Sequence, residues 1–185
     1  MKNSIKIDGG KYKGQKIELP NIETTRPSKS IVRNSIFDTL QTEIAGRDFV
    51  ELFAGSGSVG FEALSRGANR VFFFEQNREA LKTLKRNQRN FSEEIQILEG
   101  DSFQNFSKIS NELEDAILYI DPPFSIREGM ENIYQKTIEL FERPHRNIGI
   151  LIFEHLSSEK FPEKIGELEK VKSKKFGKTT LSYYS

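Results

Sequence analysis

The chain has 185 residues, of which 36% are hydrophobic and 30% charged, as expected for one globular domain. It has no cysteine, which excludes disulfide bonds, a thiolate nucleophile and a cysteine zinc site. The first ten residues lack an apolar signal segment, and no stretch approaches the ~20 apolar residues of a membrane helix. We therefore expect a cytoplasmic protein without a membrane partner.

The net charge of +1 hides basic charge at both ends of the chain. Residues 1–33 contain eight Lys and Arg against three acids, and residues 168–185 contain five Lys against Glu169. Ordinary solvated surface would explain either end separately. Basic charge at both ends favours contact with a polyanion such as RNA.

The N-terminal segment, residues 1–45, is predicted to form a hairpin and one helix. Residues 4–20 alternate around Gly9, Gly10 and Gly14 as in a short hairpin. Ser28 then precedes an amphipathic pattern and is a candidate N-cap, and Gly46 is expected to close the helix. We expect this extension to form one domain, residues 1–185, with a core over residues 46–185.

The core alternates short apolar runs with helical patterns, which is typical of a βαβ chain. The predicted strands cover residues 49–53, 71–75, 95–98, 116–120 and 148–153, the helices 59–65, 79–90, 103–109 and 130–141, and a final hairpin 169–175 and 178–184. Continuous apolar runs suit strands that are covered on both faces. The fold class is therefore α/β and Rossmann-like, with a mostly parallel seven-stranded sheet and an antiparallel C-terminal hairpin.

A glycine-rich turn follows the first core strand: Phe53, Ala54, Gly55, Ser56 and Gly57. Glycines allow close approach of a ligand, and the helix N-terminus that follows offers free N–H groups to an anionic group. Together with Gly60 the turn matches the pattern GxGxxG, which also allows a dinucleotide-binding site. A further alternative is a tight strand-to-helix turn that binds no ligand.

Acidic residues end the next two strands. Glu75 follows Gly55 by twenty positions, where nucleotide-binding folds place an acid that accepts from ribose hydroxyls. Asp101 follows the third strand, where it could accept from an adenine amine or simply cap the next helix.

The fourth strand ends in Asp121-Pro122-Pro123-Phe124. The prolines stiffen the turn and fix the carbonyl of Pro122, Asp121 offers a second acceptor, and Phe124 offers an aromatic face. Two acceptors on an aromatic amine would draw its nitrogen toward tetrahedral geometry and aim its lone pair at an electrophilic methyl group. The tetrad therefore predicts methyl transfer to an exocyclic base amine.

The chain resembles the class I amino-methyltransferases in the order of its motifs, which are FAGSG, Glu75, GD and DPPF. Residues 9–14, 25–27, 62–68 and 176–181, together with Val32, Arg33, Phe37 and Leu40, extend the resemblance to the RsmD family, bacterial 16S ribosomal RNA guanine-N2 methyltransferases. The resemblance covers nearly the whole chain. Asn34 and Glu51 depart from it, since the family usually has an acid and an Asp there.

The resemblance implies the roles of individual residues. S-adenosylmethionine would be held by Thr25, Arg26, Pro27, Phe53, Ala54, Gly55, Ser56, Gly57, Glu75, Asp101 and Ser102. Catalysis would involve Asp121, Pro122 and Phe124, and the RNA would contact Pro123, Phe124, Lys11, Lys13, Arg33, Lys174 and Lys175. We expect a monomer without a metal, acting on 16S ribosomal RNA or the assembling small subunit.

Three alternatives remain. An NAD-dependent oxidoreductase would satisfy GxGxxG and Glu75, but only His145 and His155 are available as hydride-transfer acids. A non-catalytic RNA-binding module would not need DPPF. An N6-adenine methyltransferase uses nearly the same tetrad, so guanine and the N2 position rest on the resemblance.

Overall fold

The computed structural model describes residues 3–21, 30–123, 132–143 and 145–185. Within these ranges the strands are β1 (Ser4–Lys6), β2 (Lys16–Glu18), β3 (Phe49–Leu52), β4 (Arg70–Glu75), β5 (Glu94–Glu99), β6 (Ala116–Ile120), β7 (Ile148–Leu156), β8 (Lys164–Ile165), β9 (Leu168–Phe176) and β10 (Thr179–Tyr184). The α-helices are α1 (Ser30–Leu40), α2 (Ser58–Ser65), α3 (Arg78–Gln88), α4 (Ser102–Ile109) and α5 (Ile133–Leu140).

The central sheet has the strand order β5-β4-β3-β6-β7-β10-β9-β8. Strands β5, β4, β3, β6 and β7 are parallel, and β10, β9 and β8 continue the sheet antiparallel. This confirms the predicted Rossmann-like fold. The described sheet has one strand more than the predicted seven, because the two-residue β8 pairs with the start of β9, a segment too short to show a period in the sequence.

Both faces of the sheet are covered, which explains the continuous apolar strands. One cluster joins alternate strand residues to α1, α2 and α3, and includes Phe37, Phe61 and Phe73. The other joins the intervening residues to α4 and α5, and includes Phe74 and Phe106. Strand β6 is buried along its whole length. Burial on both sides leaves the strand ends as the places where polar side chains can meet a ligand.

The N-terminal hairpin, β1 and β2, packs against α2. Glu62 of α2 accepts from the backbone N–H groups of Asp8 (2.8 Å) and Gly9 (2.9 Å). Gly10 has φ +76°, and a Cβ there would lie 1.8 Å from the carbonyl oxygen of Ser65. The hairpin tip therefore requires glycine and is fixed at the C-terminal end of α2.

The predicted end of α1 differs from the structure. Helix α1 ends at Leu40, not near Gly46, because Gln41 has φ 46° and a 3₁₀ turn follows over residues 41–44. Ser28, the predicted N-cap, and residues 130–131, the predicted start of α5, lie outside the described residues. No helix in the described part of the chain is long and apolar enough to cross a membrane.

Candidate active site

The predicted site lies at the carboxyl edge of the parallel strands, between β3 and β6. The chain continues from β3 toward β4 and β5 on one side, and from β6 toward β7 on the other, so this is the switch point of the sheet. Ligands of open α/β sheets bind in the crevice at such a point. The glycine-rich turn after β3 and the DPP turn after β6 meet there, because Leu52 and Ile120 are paired in the sheet.

The pairing of the parallel strands places the candidate site residues side by side across the sheet, in what we call the transverse row. Phe74 pairs with Leu52, Leu52 with Ile120, and Ile120 with Phe153. The next residues of these four strands are, in the order across the sheet, Glu75, Phe53, Asp121 and Glu154. Neighbouring strands are about 4.8 Å apart, so the row spans only three strand spacings.

The glycine-rich turn is locally strained at its first residue. Phe53 has φ 66° although it carries a bulky side chain, and Gly55 and Gly57 have φ 55° and 74°. A left-handed non-glycine residue persists only where its surroundings enforce it, and such residues cluster at ligand sites. A Cβ on Gly57 would also lie 2.6 Å from Leu84, so glycine is needed there for packing as well.

Glu51 occupies the floor of this turn. It is 3% exposed, and one carboxylate oxygen accepts from the N–H of Gly60 at 2.8 Å in the first turn of α2. Burial raises the pKa of Glu51 to about 8, against the lowering effect of the backbone N–H groups of Gly60 and Val59. The expectation that the N–H groups of α2 are free for a ligand anion is therefore wrong for these two, because a side chain of β3 already binds them.

Glu75 accepts hydrogen bonds from the backbone of the glycine-rich turn and from the backbone that follows β4. Oε2 accepts from the N–H of Gly55 at 2.7 Å, and Oε1 accepts from Gln76 at 2.9 Å and Asn77 at 2.7 Å. A carboxylate has about four acceptor sites, so one remains for a ligand hydroxyl. Glu75 thus links the glycine-rich turn to the end of β4, where the ribose was predicted.

Asp101 caps α4, because its Oδ1 accepts from the N–H of Gln104 at 2.8 Å. This is the helix-capping role that the sequence offered as an alternative to adenine binding. The side chain stays exposed, and Ser102 beside it is buried. The structure also brings Phe103 to Phe53, with ring centroids 6.0 Å apart in an edge-to-face contact. The sequence pattern places Phe103 at the start of a predicted helix, and the spacing of apolar residues in that helix does not indicate that Phe103 faces the turn.

Asp121 and Pro123 are half-buried and Pro122 is buried at the end of β6. Asp121 and Glu154 also add negative charge near Tyr134 of α5, whose pKa rises to about 12, chiefly through burial. The other predicted ligand-binding residues of this region, Phe124 and residues 25–27 (Thr25, Arg26 and Pro27), lie outside the described residues.

Glu154, at the row's far end, was missed. It is 8% exposed, and the hydroxyl of Tyr119 donates to its Oε2. The signal was present, since an apolar run that ends in an acid marks both Glu75 and Glu154. His155 was weighed only as a packed or surface residue, and it is packed: its ring stacks on Phe161 at 3.9 Å.

The predicted RNA-binding lysines of the hairpin lie at the opposite edge of the sheet. Lys11 donates its backbone N–H to Ser65, the last residue of α2, and its ammonium group to Glu93 at 2.8 Å, just before β5 begins. The Glu93 contact raises the pKa of Lys11. Lys13 is exposed beside it. The contact of Lys11 and Lys13 with RNA therefore stays a prediction, and α2 separates these lysines from the site.

Arg33 is likewise placed inside the protein. It is 2% exposed, and its guanidinium donates to Asp8 at 2.5 Å and to the carbonyl of Lys6 at 3.1 Å. A second contact, 3.7 Å long, joins it to Glu62. The predicted contact of Arg33 with RNA is wrong, since this side chain ties α1 to the hairpin and α2.

Lys174 and Lys175 lie at the carboxyl edge, as the prediction requires. Lys174 pairs with Leu181, which pairs with Glu154, so β9 extends the transverse row. The ammonium group of Lys174 donates to Ser35 (3.1 Å) and Thr39 (2.8 Å) of α1, whereas Lys175 is exposed. Lys175 is thus the better placed of the two to reach a phosphate.

The charges of the cleft distinguish between possible cofactors. Glu75 and Asp121 lie beside the turn, and Glu51 lies beneath it with its pKa raised further by Glu75. The carboxylates of Glu75 and Asp121 disfavour a pyrophosphate and favour a ligand with a cationic centre, such as the sulfonium of S-adenosylmethionine, whereas Glu51 is protonated near neutrality and adds little charge. Among the described residues, no group of three or more His, Cys, Asp and Glu side chains could hold a metal ion.

The fold and site define a class I, S-adenosylmethionine-dependent methyltransferase. The family described as Conserved hypothetical protein 95 matches residues 5–185. The chain belongs to this family, the RsmD family of methyltransferases.

Individual relatives agree with this assignment. The chain is 34% identical over 143 residues to "Ribosomal RNA small subunit methyltransferase D" of Buchnera aphidicola, covering 76% of this chain and 72% of the relative. It is 32% identical over 126 residues to the Haemophilus influenzae protein of the same name, covering 66% of this chain and 65% of that relative. The solved structure of "Putative methyltransferase yhhF from Escherichia coli" is 25% identical, with a TM-score of 0.76 and coverage of 98% and 97%.

Proposed function

We propose that this methyltransferase transfers a methyl group from S-adenosylmethionine to N2 of a guanine in 16S ribosomal RNA, acting in the cytoplasm as a monomer. The observation that carries the proposal is the transverse row at the switch point, where the glycine-rich turn and Glu75 lie beside Asp121. The choice of 16S ribosomal RNA rests on the relatives named small subunit methyltransferase D.

The two halves of the row would have different tasks. Glu75 would bind the ribose hydroxyls, Phe53 and Phe103 would line the adenine side, and Asp101 and Ser102 would contact the adenine. Residues 25–27 would cover the cofactor. Two strand spacings separate Glu75 from Asp121, about 10 Å, which suits a cofactor that lies across the turn with its methyl group toward β6.

Asp121 and the carbonyl of Pro122 would hold the two N–H bonds of the target amine, and Phe124 would stack on the base. When bound, S-adenosylmethionine supplies an electrophilic methyl group: nitrogen forms the new bond, and the electron pair of the broken C–S bond stays on sulfur. The surplus proton leaves nitrogen for Asp121 or water. Asp121 thus orients the lone pair and stabilises the positive charge that develops on nitrogen.

The target base must leave its stack to reach this turn, which costs a few kcal/mol. Lys175, Pro123 and Phe124 would contact the RNA around it. A small domain gains from a substrate that already displays the base. We therefore expect a folded RNA or an assembling small subunit to be methylated faster than free guanosine.

Mass spectrometry of 16S ribosomal RNA nucleosides, from cells with and without this protein, tests the proposal. N2-methylguanosine should decrease at one position when the protein is absent and return when it is supplied. A loss of N6-methyladenosine instead would establish the adenine alternative. Unchanged nucleosides in 16S RNA would contradict the proposed substrate.

A further inference from the structure

The carboxylate of Glu154 is the acidic group next to Asp121 in the transverse row. Ile120 and Phe153 are paired in parallel strands, and Asp121 and Glu154 directly follow them. Adjacent strands lie about 4.8 Å apart, so the two acidic residues are neighbours across the sheet. The proposed mechanism uses Asp121 and the Pro122 carbonyl, and leaves Glu154 without a task.

Glu154 is held in a fixed direction. The hydroxyl of Tyr119 donates to its Oε2, and Tyr119 is only 1% exposed. Tyr119 precedes Asp121 by two residues on the same strand, so strand alternation places Asp121 on the face where Tyr119 meets Glu154. A buried carboxylate costs free energy unless hydrogen bonds satisfy it, and the hydroxyl of Tyr119 supplies one such bond beside the row residue Asp121.

The Watson–Crick edge of a purine shows what a second acceptor would do here. In guanine, the N2 amine lies next to N1–H, which is also a donor. In adenine, the N6 amine lies next to N1, which is an acceptor. A carboxylate only accepts, so one beside the amine site would bind guanine and repel N1 of adenine.

We propose that Glu154, oriented by Tyr119, accepts the N1–H of the target base and thereby selects guanine over adenine. This inference rests on the proposed function, since it concerns the base that enters the Asp121 site. It makes Glu154 a specificity-determining residue and Tyr119 its positioning residue. Guanine specificity then follows from a side chain of β7, while the DPPF tetrad serves any aromatic amine.

The test uses RNA in which the target base is guanine or 2-aminopurine. 2-Aminopurine keeps the exocyclic amine at C2 but has an acceptor at N1 and lacks the oxygen at C6. The comparison of wild type with variants of Glu154 therefore separates the N1 contact from the loss of this oxygen. The full-length enzyme should methylate the guanine RNA at least about tenfold faster in kcat/KM, because a site built to accept from N–H rejects an analogue without it. A wild-type enzyme that methylates neither RNA would contradict the proposed function itself.

The variant Glu154→Gln should lower kcat/KM on guanine about 10- to 100-fold. It should also shrink the preference for guanine over 2-aminopurine, because a glutamine amide can donate to N1. Tyr119→Phe should change the preference in the same direction by a smaller factor. The matched control is Glu159→Gln, which neutralises an exposed acid on the loop after β7 and should leave the preference unchanged.

Cofactor binding by calorimetry and melting temperature are measured for each variant. A reduced melting temperature with an unchanged preference would show that Glu154 only supports the fold, and would overturn the inference. If Glu154→Gln does not fold, Tyr119→Phe decides the question, since an unaltered preference in that variant equally contradicts it.

Discussion

The two edges of the parallel sheet use charged residues in opposite ways. At the amino edge, acids pair with arginines: Asp48 binds Arg70 at 2.6 Å, and Asp115 binds Arg47 at 2.8 Å. At the carboxyl edge, Glu51 and Glu75 instead accept from backbone N–H groups of the glycine-rich turn and its flanks.

The difference separates stability from function within a single sheet. Charge pairs at the amino edge satisfy each other and keep strand starts together. Acids at the carboxyl edge shape a backbone that would receive a ligand, and Asp121 and Glu154 lie in the same transverse row. We therefore expect substitutions at the amino edge to reduce stability, and substitutions at the carboxyl edge to reduce activity or cofactor affinity.

The largest expected effect is the loss of stability in Asp48→Ala. Asp48 is completely buried and accepts from two nitrogens of Arg70 (3.0 and 2.6 Å) and from the N–H of Glu114 (2.9 Å). Its removal leaves the guanidinium of Arg70 and the N–H of Glu114 without this acceptor, which costs about 3 to 5 kcal/mol of unfolding free energy. Urea denaturation measures the loss. The control Asp115→Ala removes an exposed acid and should cost under about 1 kcal/mol. Equal losses of stability in the two variants would contradict the structural role given to Asp48.

Next comes Asp121→Ala, at the other edge. Loss of one preorganised group that stabilises developing charge costs about 2.7 to 4 kcal/mol, a rate drop of roughly 100- to 1000-fold. Single-turnover methylation at saturating cofactor is the measurement, and cofactor affinity should stay near that of the wild type. A variant that keeps more than about a tenth of the wild-type rate would refute the amine-orienting role.

Glu75→Ala should weaken S-adenosylmethionine binding by about 1.5 to 3 kcal/mol, or about 10- to 150-fold, through loss of a charged hydrogen bond. Calorimetry measures it. The control is Glu99→Ala, because Glu99 pairs with Glu75 in the neighbouring strand but contacts exposed Lys85. If both variants bind equally well, Glu75 does not hold the ribose.

The smallest expected effect distinguishes the basic groups of the two edges. Lys175→Glu should reduce the salt dependence of RNA binding by about 0.7 to 0.9 in log–log slope for each phosphate that the protein no longer neutralises. Lys13→Glu, at the amino edge, should leave that slope unchanged. Equal slopes for both variants would mean that RNA covers more of the protein than the carboxyl edge.

The sequence was sufficient for those parts of the fold that depend on periodicity. Apolar runs gave the strands, and acids or glycines that end them gave Glu75, Asp101 and Asp121. The contact of Arg33 with RNA was mispredicted, and the position of Lys11 and Lys13 at the amino edge was not foreseen, because a positive charge in the sequence does not reveal which edge it occupies or whether an internal acid binds it. Glu51 required register and burial, which only the assembled sheet defines, whereas Glu154 follows an apolar run that is visible in the sequence.

Glu51 makes folding depend on the proton concentration. Its pKa of about 8 in the folded protein exceeds the ordinary value of 4.5, so near neutrality the native state holds a proton that the unfolded chain releases. The contribution of this group to stability is complete below pH 4.5, declines as the pH rises, and is lost once the pH passes about 8. The turn that would receive the cofactor is thus built over a carboxylic acid that is neutral below about pH 8.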